Sequence, residues 1–198
     1  MKTRSRQGRR PFQLKLSAYG DSYYIDRIAA LETALAREPQ RLQIDLVGTG
    51  EIAADTALLI RSVLLGRAPK IQLITHARSS LQGASVLVWL MGDQRIIRGD
   101  ARIFFRRLNL SEDEEAELNE VWKLHEPKYR DSFSEIDPEE ADYARVLLLI
   151  NEFLPVKELA GRLIGVPLLR QFGLVENERV DSFLATAFGM TDPALVSG

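Results

Sequence analysis

The sequence predicts an α/β fold in which parallel strands alternate with apolar helices, and three stretches carry that prediction. A strand-like run with Leu42, Ile44 and Leu46 ends at Gly48-Thr49-Gly50, and an apolar helix follows at once. A second run, Ile71 to Thr75, ends in the polar turn Ala77-Arg78-Ser79-Ser80 and again leads into an apolar helix. Two short strands, Gln94 to Arg98 and Ala101 to Arg106, are joined by Gly99-Asp100. The links suit right-handed βαβ crossovers. Their Ile, Val and Leu content suits parallel strands covered on both faces. Loops that leave such strands and open helices are natural ligand sites, because backbone N–H groups at a helix start are unpaired.

The flanking elements follow from the same rules. Phe12, Leu14 and Leu16 alternate with polar residues as in a half-buried strand, and Gly20-Asp21-Ser22 reads as a turn. Ile25, Ile28, Leu31 and Leu35 recur at helical spacing from Tyr24 to Arg37, before Pro39. After Leu110 the chain reads as helical. Ser111-Glu112-Asp113-Glu114 is a capping-box start for a helix carrying Leu118, Val121, Trp122 and His125, and Lys128 to Ile136 reads as a loop. Asp137-Pro138-Glu139-Glu140 starts another helix, whose run Val146 to Ile150 is apolar almost all round and should lie in the core or at a subunit contact. Glu152 to Leu163, Val166 to Phe172 and Arg179 to Phe188 read as helical, with a turn-to-strand element at Gly173-Leu174-Val175. No internal repeat is visible.

Composition narrows the function classes. The 198 residues fit one domain at 12–198, behind a basic flexible tail at 1–11. A net charge of −2 provides no global field for nucleic acid or an acidic membrane. The absence of cysteine excludes disulfides, thiol nucleophiles and thiolate metal sites, and fits a cytoplasmic location. No apolar run is long enough for a membrane span, and the basic start leads into an alternating strand rather than a signal-peptide core. Two histidines without clustered partners argue against a metal, and no cofactor motif is present.

Among single residues, Ser80 stands at a strand-to-helix turn, where it serves either as a nucleophile or as a helix N-cap. His76, four residues earlier, is a candidate base that would approach from an unusual direction. Gly48-Thr49-Gly50 is a tight turn with backbone donors, but Glu51 after it repels an anion. In a regular strand Arg102 and Arg106 share one face and Arg107 takes the other.

The central residues resemble the Clp protease proteolytic subunit, within the wider Clp/crotonase fold. Val47-Gly48-Thr49-Gly50-Glu51-Ile52 takes the place of the family's Ser-Pro-Gly-Gly-Ser-Val turn. Arg78 to Ala84 is similar to the family's Ala-Ala-Ser-Met-Gly-Ala, which holds the nucleophilic serine. With one inserted residue that serine is Ser80, and without a gap Gly83 stands in its place. Gln94-Arg95 and then Gly99-Asp100-Ala101-Arg102 are similar to the family's Lys-Arg strand and Pro-Asn-Ser-Arg. Gln171-Phe172-Gly173-Leu174-Val175-Glu176 is similar to its Glu-Tyr-Gly-Leu-Ile-Asp segment. The likeness implies a Clp/crotonase-like spiral of βαβ units with a helical C-terminal portion, and assembly as a homo-oligomer.

The same comparison implies a degenerate catalytic triad. The family's histidine falls at Arg106, whose guanidinium cannot act as a base near neutral pH. No aspartate lies between Asp142 and Asp181, where the family's would stand. The expectation is therefore a non-catalytic relative that acts through oligomeric assembly or a protein partner. Two alternatives stay open. One is a serine hydrolase using Ser80 with His76. The other is an acyl-thioester binder whose remnant pocket is formed by Thr49, Gly50, Gly83 and Arg106.

Overall fold

The chain alternates between residues that suit strands and residues that suit helices, and a computed structural model shows how the two are wound together. It describes residues 11–16, 21–109, 111, 113, 116 and 137–175. The elements are β1 (Phe12–Lys15), α1 (Asp21–Ala36), β2 (Arg41–Val47), β3 (Glu51–Ile52), α2 (Ala54–Leu65), β4 (Gln72–Ala77), β5 (Leu81–Gly83) and α3 (Ser85–Leu90). They continue with β6 (Gln94–Ile97), β7 (Arg102–Phe104), α4 (Pro138–Asn151), α5 (Val156–Leu159), β8 (Ile164–Gly165) and α6 (Val166–Gln171).

The strands form two sheets. The first has the order β1-β2-β4-β6 and is parallel throughout. The second has the order β3-β5-β7-β8, parallel except for the β7–β8 pair. A long strand in the first sheet, a turn, a short strand in the second and a helix make one winding unit. β2-β3-α2 and β4-β5-α3 are complete units, and β6-β7 begins a third. The sequence shows no repeat because the unit is geometric: its strands and helices differ in length, and no residue pattern is copied.

Apolar burial fixes this arrangement. Leu42, Ile44 and Leu46 of β2 and Leu73 and Ala77 of β4 are buried on one face of the first sheet. α2 buries Ala54, Ala57, Ile60 and Leu64 at helical spacing, and α3 is buried at all six residues. A fully buried Leu or Val side chain contributes about 1.5–3 kcal/mol, so this short central helix is held by its surroundings rather than by its own length. Trp89 of α3 donates from Nε1 to the Ile96 carbonyl at 3.1 Å, and Thr75 donates to the Trp89 carbonyl at 2.6 Å. One core runs from Leu14 to Val175.

The outer edge of β1 is closed by α1. The Lys15 N–H donates to the Tyr23 hydroxyl at 2.9 Å, and Arg27 Nη2 donates to the Gln13 carbonyl at 2.6 Å. These contacts occupy backbone groups that would otherwise template another strand.

Several expectations change at this level. Each glycine- or serine-bearing turn leads first into a short strand, β3 or β5, and only then into a helix. Ser80 is therefore no helix cap; the residue before α3 is Ala84. α1 begins at Asp21, so Asp21 and Ser22 are helical rather than a turn. Its buried face runs through Tyr24, Ile28, Leu31 and Leu35 while Ile25 is 64% exposed, because the stripe is counted from Tyr24. The helix expected from Glu152 is reduced to α5, since Pro155 precedes it and cannot donate within a helix. Asp137 caps α4 as its sequence predicts, accepting from the Glu139 N–H at 3.0 Å, an interaction worth ~1 kcal/mol. Val146, Leu147 and Ile150 are buried, and Leu148 is partly exposed. The first sheet's second face is mixed rather than apolar: Gln43, Asp45, Ile74 and His76 share it, with Arg41 and Gln72 exposed. The helix expected from Ser111 to His125, the loop to Ile136, the helix from Arg179 and the tail before Pro11 lie outside the described residues.

Candidate functional site

β3, β5 and β7 run parallel, so their C-terminal ends lie side by side. Ile52 pairs with Gly83, and Gln82 pairs with Phe104. Strand ends of this kind are where a parallel sheet presents ligand groups. Glu51, Gly83 and, just past β7, Arg106 gather here.

Gly83 adopts φ +50°, a left-handed conformation that costs a side-chain-bearing residue about 1–2 kcal/mol. A Cβ at this position would overlap the Glu51 carboxylate. That carboxylate accepts from the Ala84 N–H at 3.3 Å. Burial pushes the Glu51 carboxyl above its ordinary range, while the Ala84 N–H and Arg106 pull the other way. Ser85 Oγ accepts from the Ile52 N–H at 3.1 Å and ties β3 to the start of α3.

Arg106 is fully engaged. Its Nη1 and Nη2 donate to Glu140 Oε1 and Oε2 at 2.9 and 2.5 Å, a paired geometry that suits a planar guanidinium. Its guanidinium lies 4.1 Å from the Tyr143 ring centroid, and its N–H donates to the Tyr143 hydroxyl at 3.0 Å. The Asn109 N–H also donates to Glu140. Arg106 holds the Glu140 carboxylate below its ordinary range, and burial raises the Tyr143 hydroxyl. At neutral pH this leaves an ion pair over a neutral phenol.

The residues singled out in the sequence separate into two groups. Gly83 lies against Glu51 at the strand ends, and Arg106 interacts electrostatically with the same carboxyl group. Thr49 and Gly50 lie in the turn immediately before β3, Thr49 exposed and Gly50 half-buried. Ser80 lies at the other end of β5, where its Oγ accepts from the Arg102 N–H at 3.0 Å. His76 points to Asp45, with Nδ1 3.8 Å from Oδ1. Among the described residues, no hydrogen bond joins Ser80 to His76.

The arginines also sort differently from regular strand alternation. β7 ends at Phe104, so Arg106 and Arg107 leave the two-residue period. Arg102 lies against Gly165 and Arg107 against Gly161, while Arg106 turns to α4. Glu140 and Tyr143 are not legible as site residues, because Glu140 reads as an acidic helix start and nothing in the local pattern singles out Tyr143. Glu51 was legible only as a charge beside a turn.

Chemically, the strand ends hold the Glu51 carboxyl group and the Arg106 guanidinium, the latter already paired with Glu140. No group of three potential metal ligands occurs among the described residues. No helix among them is long and apolar enough to cross a membrane.

No family model matches the chain, and no curated protein matches it. Solved structures do. A point mutant of ClpP1 from Listeria monocytogenes superposes with a TM-score of 0.52 at 13% identity, over 84% of this chain and 92% of that one. ClpP1 from the same organism gives a TM-score of 0.45 at 8% identity, over 83% and 88%. Together with the winding of parallel strands and helices, the first of these likenesses establishes a ClpP-like α/β fold for this chain.

Proposed function

We propose that this chain is a Clp protease-like protein that has kept the fold without serine-protease chemistry, and acts as a homo-oligomer or through a protein partner. The observation that carries this reading is the pair Glu51 and Gly83. The strand end that corresponds to the nucleophile, when the family motif is aligned without a gap, carries no side chain, and a carboxylate fills its space. Arg106, at the place of the base, is held by Glu140 and Tyr143 as a tie between β7 and α4. The hydrolase alternative is less well supported, since Ser80 Oγ serves a backbone N–H and His76 faces Asp45.

Intact-mass labelling with a fluorophosphonate tests the reading, because the reagent needs an activated serine. The expected result is no adduct on the folded protein. A single adduct that disappears in Ser80→Ala would overturn it. Light scattering of the purified chain tests assembly; a strictly monomeric species at high concentration would remove the oligomer from the proposal. Failure of coenzyme A thioesters to raise Tm would set aside the acyl-thioester alternative.

A further inference from the structure

We propose that His76 and Asp45 form a pH-sensitive latch on the turn Arg78 to Ser80, closed while His76 is neutral and loosened when it takes a proton. This goes beyond the reading above and does not depend on it.

The latch rests on a buried carboxylate that accepts three hydrogen bonds from two side chains. The Asp45 side chain is 4% exposed. Its Oδ1 accepts from Gln43 Nε2 at 2.7 Å, and its Oδ2 accepts from Arg78 Nε and Nη2 at 3.0 and 2.8 Å. His76 Nδ1, at 3.8 Å from Oδ1, is beyond hydrogen-bond reach. A neutral His76 therefore leaves Asp45 to Gln43 and Arg78, with Arg78 its only charged hydrogen-bond donor among the described residues.

Arg78 is the first residue past β4, and its N–H donates to the Leu46 carbonyl at 2.9 Å. Ser79 next to it donates to the Gly48 carbonyl, and Ser80 accepts from the Arg102 N–H. The Arg78 guanidinium is thus the charged anchor of a connection that joins both sheets, reaches the Gly48 turn and feeds β5.

A proton on His76 places a second cation beside the same carboxylate. The two cations repel, and they differ in access to water: the Arg78 side chain is 45% exposed and that of His76 is 14% exposed. Arg78 is therefore the one that leaves. By strand alternation, Lys15 of β1 and Arg41 of β2 share this face, and β6 contributes the uncharged Gln94 and Ile96. Arg98, past β6, is paired with Asp100. Among these groups, Asp45 alone supplies negative charge to His76. Burial and Arg78 hold the imidazole below its ordinary range against the pull of Asp45, so the latch is closed at neutral pH and opens in acid.

The experiment is NMR on the full chain from about pH 8 to about pH 5. It follows the His76 ring and the amide hydrogen exchange of residues 78–80 and 48–50, corrected for intrinsic exchange. Exchange at these amides is expected to rise about fivefold as His76 titrates, the size of a ~1 kcal/mol local opening. The His76→Gln variant is expected to lose that rise. Flat exchange in the native chain, or an unchanged rise in His76→Gln, overturns the proposal. If the variant does not fold, the midpoint of loosening in the native chain decides: agreement with the His76 titration supports the latch, and disagreement overturns it.

Discussion

The Glu51 carboxylate occupies the space in which a side chain at Gly83 would begin. The two residues come from different strands, 32 positions apart in numbering, and each constrains what the other position accepts. A residue with a side chain at 83 has to move Glu51 off the Ala84 N–H and also adopt a positive φ.

Gly83→Ala is therefore expected to lower stability by about 1–3 kcal/mol, combining backbone strain with overlap. In the double variant Gly83→Ala/Glu51→Ala, the overlap disappears and part of the loss returns. Urea unfolding of the four proteins of this cycle measures the coupling. Strictly additive losses would show that Glu51 does not fill the space at 83.

Breaking the Arg106 tie has a larger reach, because it leaves Glu140 without its guanidinium partner. Arg106→Ala is expected to lose about 1–3 kcal/mol of stability, the cost of a largely buried carboxylate left with only the Asn109 N–H as donor. The pH dependence has a definite sign. Glu140 has a depressed folded pKa, so its contribution is complete above the unfolded value near 4.5 and is lost as pH falls through the folded one. The difference in unfolding free energy between the native chain and Arg106→Ala should shrink below about pH 4. A difference that stays constant down to pH 3 would mean that the ion pair is not the source of the loss.

His76 carries the opposite kind of pH dependence. Its folded pKa is lowered, so the unfolded chain binds the proton more readily. Stability is unaffected well above the unfolded value near 6.5 and falls as pH drops through it toward the folded value. His76→Gln should flatten thermal stability between about pH 7 and pH 5. Equal slopes for the variant and the native chain would count against a perturbed His76.

Ser80→Ala tests a structural role in isolation. Loss of the hydroxyl that accepts the Arg102 N–H should cost ~1 kcal/mol of stability. It should leave oligomerisation and partner binding unchanged. Abolition of any measured hydrolysis in this variant, without loss of fold, would restore Ser80 as a nucleophile.

The sequence by itself determined the class of fold and the order of its main elements. Alternation at Phe12, Leu14 and Leu16, helical spacing through Ile28, Leu31 and Leu35 and the cap at Asp137 are local properties, written in residue type and period. That Arg106 is no general base was also legible, since a guanidinium stays protonated near neutral pH in any tertiary setting. Tertiary structure decided everything that depends on which strand ends lie together. Two- and three-residue strands such as β3 and β5 have no period to read, and they place Gly83 rather than Ser80 against Glu51, the carboxyl group that interacts with Arg106. The meeting of Glu51 with Gly83, and of Arg106 with Glu140, is set by long-range pairing and burial, which leave no mark in local spacing.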